Sequence, residues 1–76
     1  GTVVREEFDA KAQAWYYGEI LKQARKQARI TQQQLANMVG KKREYIALLE
    51  RGETDMQLST FLQISEALGL RFALVM

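Results

Sequence analysis

Residues 31 to 52, TQQQLANMVGKKREYIALLERG, contain two short helical patterns separated by one glycine, Gly40. Thr31 is followed three positions later by Gln34, the spacing of a capping box, so a helix is predicted to begin here. Glycine adopts the left-handed conformation of a helix C-terminus without steric cost, so Gly40 is predicted to end this helix. Its apolar positions are Leu35, Ala36, Met38 and Val39.

A second helix is predicted from about Lys42 to Arg51, with Gly52 as its stop signal and with Ile46 and Leu49 facing inward. Two helices joined by a tight glycine turn form a helix-turn-helix, whose second helix enters the DNA major groove. The packing of this motif requires a small residue where the helices touch, which is Ala36 here. The stretch therefore predicts a DNA-binding motif.

The charge of the chain is unevenly distributed, although its net value is only +2. Every ionisable residue from position 22 to position 43 is basic: Lys22, Arg25, Lys26, Arg29, Lys41, Lys42 and Arg43. Such a local excess indicates a polyanionic partner. The alternative interpretation is a helix face that is merely solvated.

Helical geometry predicts which residues of the second helix reach DNA. If Ile46 and Leu49 point inward, then Glu44, Ala47, Leu48 and Arg51 point outward at about 100° per residue. Arg43 at the helix tip could bind guanine bidentately, Glu44 could accept from cytosine N4, and Ala47 and Leu48 could touch thymine methyl groups. Lys41 and Lys42 are expected to contact phosphate. Tyr45 either contacts phosphate or packs beside the first helix.

The rest of the chain is also predicted to be helical. Residues 5 to 16 place Phe8, Ala12 and Trp15 on one stripe, and residues 17 to 29 continue the pattern. One helix or two are both compatible with Gly18, which is only a weak breaker. After a loop over residues 53 to 57, a further helix covers about 58 to 68 and Gly69 stops it. Its candidate core residues are Leu58, Phe61, Leu62, Ile64 and Leu68.

The C-terminal residues 70 to 76, LRFALVM, change to the alternating pattern of a strand. A single strand leaves its backbone groups unpaired, so we expect it to pair with the same strand of a second copy through Leu70, Phe72 and Leu74. The alternatives are a terminal helix or a frayed tail.

At these residues the sequence resembles the lambda-repressor-like, Cro-type helix-turn-helix (Xre) family. The resemblance covers about residues 17 to 69, through LKQARKQARITQQQLANMVG, YIALLERGE and LSTFLQISEALGL. It implies that Gln32 contacts a backbone phosphate and that Arg25 and Glu50 form a buried ion pair. The chain departs from the family pattern at Lys41, at Leu48 and at Arg29, where a glycine usually caps the first helix.

Composition excludes several function classes. The 76 residues allow one domain and include neither cysteine nor histidine. Thiolate metal sites are therefore excluded, and the commonest general base and metal ligand is missing. We expect no catalytic residues, no metal site and no cofactor. No apolar run approaches the roughly 20 residues of a membrane span, and we expect a cytoplasmic protein.

These observations predict an all-α, compact four- to five-helix lambda-repressor-like domain with a short C-terminal strand. The predicted segments are a helical extension (1 to 16), the DNA-binding domain (17 to 69) and a dimerisation strand (70 to 76). The ends of the chain resemble HigA- and HipB-type antitoxins. The predicted function is a homodimeric repressor of a palindromic double-stranded DNA operator, with a cognate toxin as possible partner. The alternatives are a solitary Xre-type regulator and a protein-interaction module using Phe8, Trp15, Tyr16 and Tyr17, unless these aromatics complete the core or the dimer contact.

Overall fold

The computed structural model describes the backbone of residues 2 to 70 and the side chains of residues 12 to 70. Four helices follow one another: α1 (Thr2–Gln27), α2 (Gln32–Val39), α3 (Arg43–Arg51) and α4 (Leu58–Ala67). The predicted helical architecture is confirmed. The described part of the chain contains no strand, and residues 71 to 76, which carry Phe72 and Leu74 of the predicted strand, lie outside it.

The ends of α2 and α3 form as the sequence predicts. The Thr31 hydroxyl accepts a hydrogen bond from the Gln34 amide at 3.0 Å, and the Gln34 side chain accepts one from the Thr31 amide at 2.8 Å. Gly40 ends α2 with φ 68° and ψ 33°, a left-handed conformation that strains any other residue. These local signals determine where the two helices of the motif begin and end.

Helix α1 is one continuous helix of 26 residues, which resolves the alternative that the sequence left open. It runs through the predicted segment boundary at residues 16 and 17; the division into segments stays a prediction. Gly18 does not break the helix. Its lack of a side chain instead lets α1 pack closely on α3. A Cβ atom placed there would lie 2.1 Å from the Leu49 carbonyl oxygen, so the α1 backbone rests directly on the end of α3.

Arg29, just after α1, has φ 60°. This left-handed conformation explains why a glycine is expected at that position. The arginine pays about 1–2 kcal/mol for adopting it.

All four helices contribute to one core. Its buried residues are Leu21, Leu35, Ala36, Val39, Ile46, Leu49, Phe61 and Ile64. Tyr17 packs its ring edge-to-face on Phe61, with the centroids 5.2 Å apart. The side-chain amide of Gln63 on α4 also reaches the Val39 carbonyl at the end of α2, at 3.4 Å. The core therefore holds α2 and α3 in one arrangement against both flanking helices.

Two apolar residues that were expected inside are exposed. Leu58 is 71% exposed, and Leu62 is exposed as well, so for these two residues the expectation was wrong. Met38 and Trp15 are also exposed. On α4 the buried positions are Phe61, Ile64 and Ser65, so the helix turns that face to the core and leaves the leucines outside.

Replacing Gly18 with alanine tests the close approach of α1 to α3. Helix propensity alone predicts that alanine stabilises a helix interior by about 1 kcal/mol relative to glycine. Because the added Cβ would collide with the Leu49 carbonyl, we expect Gly18→Ala instead to destabilise the fold by about 1–3 kcal/mol. Urea unfolding measures the difference. A variant that is more stable than the parent would show that the two backbones are not in contact.

Candidate nucleic-acid interface

The helices α2 and α3 are joined by a tight turn between the end of α2 and the start of α3. The Lys41 amide donates a 2.9 Å hydrogen bond to the Ala36 carbonyl, which closes the turn after Gly40. Across the motif, the Arg43 Nη1 atom lies 3.4 Å from the Gln32 Oε1 atom. Since each of these residues is the first of its helix, the two N-termini lie side by side on one surface.

Positive charge is exposed at this surface. Lys41, Lys42 and Arg43 are all exposed, and Glu44 beside them is exposed as well. The N-cap residue of α3, Lys42, makes no side-chain hydrogen bond to the helix. The first-turn amides of α3 are thus not capped by that side chain, and such amides attract anions. The arrangement suits a phosphate backbone and a helix tip that enters a groove.

One long face of α3 is turned away from the other helices. Glu44, Leu48 and Arg51 follow one another at i, i+4 and i+7, with the first and last exposed and Leu48 half-buried. Arg51 pairs with Glu53 at 3.1 Å, also in an exposed position. This stripe is the face of α3 that is open to a ligand.

Ala47 is only 8% exposed, so the expectation that it points outward is wrong. It lies one turn before Glu50, and Glu50 is the residue that α3 directs at α1 and α2. Ala47 therefore belongs to the packed face of α3 and is not available to a thymine methyl group.

Tyr45 packs against the core and is half-buried. The Lys41 ammonium lies 5.7 Å from the centre of its ring, within the range of a cation–π contact. Of the two interpretations that the sequence allowed, the packing of Tyr45 beside the motif is the one that the structure displays.

A buried ion pair connects α1 to α3, as the family resemblance implied. Arg25 donates from Nε to the Glu50 Oε2 atom at 2.6 Å and from Nη2 to Oε1 at 3.1 Å. Its third hydrogen bond goes from Nη1 to the Ile30 carbonyl at 2.8 Å, in the connection between α1 and α2. The side chains of Arg25 and Glu50 are 12% and 3% exposed. A bidentate pair of this kind fixes both distance and orientation.

Sequence reasoning missed the partner of Gln32. The Gln32 Nε2 atom donates to the Glu50 Oε1 atom at 3.1 Å, so Gln32 joins the buried ion pair. The spacing of Arg43, Ala47 and Glu50 at i, i+4 and i+7 was the available signal. It places these three residues on one face of α3, and that face meets the start of α2.

The described residues contain no cluster of histidine, cysteine, aspartate or glutamate that could hold a metal ion. Among the same residues, no helix is both long enough and apolar enough to cross a membrane. This surface presents exposed cations, the Glu44 carboxylate and a helix end that the Lys42 side chain does not cap.

Comparison with known proteins agrees with this geometry. The family model HTH_3, described as helix-turn-helix, matches residues 21–75, about three quarters of the chain. The chain belongs to this Cro/lambda-repressor-type helix-turn-helix family. No curated protein matches it significantly.

A solved structure is also similar to this helix-turn-helix protein. It is the crystal structure of the restriction-modification controller protein C.AhdI from Aeromonas hydrophila, with a TM-score of 0.77 and 28% sequence identity. The similarity covers 83% of this chain and 91% of the controller protein. Both findings place the chain among DNA-binding transcriptional regulators, and neither points to an enzyme.

Proposed function

We propose that this regulator is a homodimeric, sequence-specific repressor that inserts α3 into the major groove of a palindromic operator. The observation that carries the proposal is the exposed cationic tip of α3, where Lys41, Lys42 and Arg43 surround a helix end without a side-chain cap. The core and the Arg25–Glu50 pair hold this tip beside the N-terminus of α2. A rigid, positively charged helix end is what entry into a groove lined by phosphates requires.

The residues at the exposed tip of α3 differ in the DNA groups that they could contact. Arg43 is the candidate for bidentate recognition of guanine, and Glu44 could accept a hydrogen bond from cytosine N4. Leu48 remains a candidate for thymine methyl groups, whereas Ala47 is excluded by its burial. Lys41 and Lys42 supply phosphate contacts, which orient the protein without reading sequence.

Three further residues have a place in the proposed interface. Arg51 lies about 12 Å along α3 from Arg43, so it would meet the edge of the contact, on phosphate. Tyr45 would support Lys41 through its ring. Gln32 lies beside Arg43 at the start of α2.

A second copy would supply the symmetry that a palindromic operator requires. Two α3 helices in successive major grooves lie about 34 Å apart. Leu58 and Leu62, one turn apart on α4, leave apolar surface exposed in the single chain. We propose that Leu70, Phe72 and Leu74 form the contact between copies.

A role as the antitoxin of a toxin–antitoxin pair is the more specific form of the proposal. An open groove of about 440 Å³ along α1 supports it; the lining includes Trp15, Tyr16, Ile20 and Leu70. Exposed aromatic residues are favoured at protein interfaces. The α1 backbone at Trp15 lies against Gly52, just beyond the end of α3 opposite the cationic tip. A partner protein bound there would leave the tip free for DNA. A solitary regulator would have no partner in this groove.

Replacing Arg43 with alanine tests the reading of bases by α3. We expect Arg43→Ala to lower operator affinity by about 1–3 kcal/mol and to reduce discrimination against single-base operator variants. Fluorescence anisotropy with operator and substituted duplexes measures both quantities.

Lys42→Ala is the matched control, since it removes a neighbouring exposed cation. It should lower the affinity for every duplex by a similar factor. It should also reduce the slope of log K against log salt concentration by about one. If Arg43→Ala also weakened all duplexes equally, Arg43 would be a phosphate contact and base reading by this residue would be refuted.

Removing residues 71 to 76 tests the proposed contact between copies. Leu70 is retained because its amide donates a 2.8 Å hydrogen bond to the Ser65 carbonyl and closes the end of α4. We expect the shortened chain to sediment as a monomer at concentrations where the parent is a dimer, and to lose most of its operator affinity. A shortened chain that still sediments as a dimer would rule out this contact.

Replacing Trp15 with alanine tests the antitoxin proposal. Because the Trp15 side chain is mostly exposed, the free energy of unfolding should change by no more than about 0.5 kcal/mol. Binding to the protein encoded by the neighbouring gene, measured by calorimetry, should weaken at least about tenfold, as expected for an interface aromatic. Leu58→Ala, an exposed apolar residue on α4, is the control. Unchanged binding in Trp15→Ala, or a variant that simply unfolds, would contradict the proposed interface.

A further inference from the structure

We propose that Lys26 and Arg29, at the end of α1, form a second phosphate-binding surface that extends the DNA contact beyond the tip of α3. The inference rests on the proposed function, since it concerns the same duplex. It goes beyond the family resemblance, which implies a glycine, and hence no charge, at the position of Arg29. The tip of α3 uses only the second half of the basic run between residues 22 and 43.

Arg29 occupies a backbone position that suits glycine. Its φ is 60°, and among the described residues it is the only one other than glycine with a positive φ. Its amide donates to the Lys26 carbonyl at 3.0 Å, and the Ile30 amide donates to the Arg25 carbonyl at 3.4 Å. This pair of hydrogen bonds commonly closes a helix around a left-handed glycine. Backbone strain of this kind is concentrated at functional sites, so the side chain of Arg29 requires an explanation.

The positive charges of Lys26 and Arg29 are not neutralised within the described part of the chain. Both residues are exposed, and neither takes part in an ion pair or a side-chain hydrogen bond there. Lys26 lies in the last turn of α1, where the helix dipole favours a cation. A glycine at position 29 would keep that interaction and would also relieve the strain. The arginine is therefore not explained by the stability of the helix end.

The buried ion pair holds this end of α1 against α3. The Arg25 guanidinium donates from two nitrogens to the Glu50 carboxylate and from the third to the Ile30 carbonyl. Ile30 directly follows Arg29, so the turn that carries Arg29 is fixed to the same carboxylate that orients α3. Cations on this turn thus have a defined position relative to the helix that enters the groove.

The turn also lies close to the proposed DNA interface. Gln32, the first residue of α2, follows Arg29 by three positions, which span at most about 11 Å. The Gln32 side chain in turn lies 3.4 Å from Arg43 at the tip of α3. Lys26 is one turn before Ile30 on the exposed side of α1. Lys22, a further turn away, is half-buried, so we assign the contact to Lys26 and Arg29.

The chemistry of the two side chains determines what they contribute. Ammonium and guanidinium groups bind phosphate oxygens and release the counterions of the duplex, whatever its sequence. Such contacts fix the orientation of the protein on DNA without reading bases. This surface therefore raises affinity for every duplex and leaves discrimination between duplexes unchanged.

Replacing Arg29 with glycine tests the proposal, because it should change stability and DNA affinity in opposite directions. The midpoint of urea unfolding should rise, since glycine adopts φ 60° without steric cost. The affinity for every duplex should fall severalfold by a similar factor. The slope of log K against log salt concentration should fall by about as much as in Lys42→Ala. Fluorescence anisotropy at several salt concentrations measures affinity and slope.

Three further variants serve as controls. Arg29→Lys keeps both the charge and the strained backbone, so its affinity and its slope should stay close to those of the parent. Adding Lys26→Gln to Arg29→Gly should roughly double the loss of slope. Lys11→Gln removes a cation about 22 Å earlier on the same helix. It should leave DNA binding unchanged, because this distance exceeds the screening length at physiological salt.

The outcomes separate this proposal from the proposed function. A parent protein that binds operator and competitor DNA alike would refute the proposed function, whereas the loss in Arg29→Gly would still be measurable on competitor DNA. If Arg29→Gly is stabilised but binds DNA with unchanged affinity and slope, the phosphate surface is overturned.

Three other results would also overturn the phosphate surface. A less stable Arg29→Gly would show that the arginine serves the fold. A loss confined to discrimination between duplexes would identify a base contact instead. An equal loss in Lys11→Gln would show that only the net charge of the chain matters.

Discussion

The buried carboxylate of Glu50 is the constraint on which the arrangement of this motif depends. A charge taken out of water is stable only if it is paired and its hydrogen bonds are satisfied. Here the partners come from α1 and from the first residue of α2, so satisfying one carboxylate fixes three helices relative to one another. Removing Arg25 would leave a buried, uncompensated charge. The pair is therefore better understood as specifying the position of α3 than as a large net contribution to stability.

Close backbone contact provides the second constraint. Because Gly18 and Gly52 have no side chains, α1 lies directly on the end of α3, and the packed side chains of the core fill the remaining space. One result is that α1 supports α3 along its buried face and leaves the opposite end of α3 free. Another is that Trp15 and Tyr16 of α1 are exposed, whereas Tyr17 packs on Phe61. The same packing that exposes the cationic tip also exposes the groove at Trp15.

The features that could be predicted from the sequence are those that depend on residues close together in the chain. The capping box at Thr31 and the turn at Gly40 depend on residues within a few positions, and both are confirmed. The helix-turn-helix core was also predictable, since its offsets follow from helical periodicity. Ala47, Leu58 and Leu62 were assigned wrongly because their exposure depends on which helix covers which face. The bond between Gln32 and Glu50 joins residues 18 positions apart; the spacing along α3 indicates which face Glu50 shares, but not which residue of α2 it contacts.

The most direct test of the account is fluorescence anisotropy of the full chain with a labelled duplex from the upstream region of its own gene. Excess competitor DNA is present, and two salt concentrations are compared. The account predicts saturable binding that survives the competitor and weakens steeply with salt, because α3 contacts both bases and phosphates. Binding abolished by competitor would contradict it. The cationic tip would then supply non-specific attraction only, and the aromatic groove of α1 would be the better guide to function.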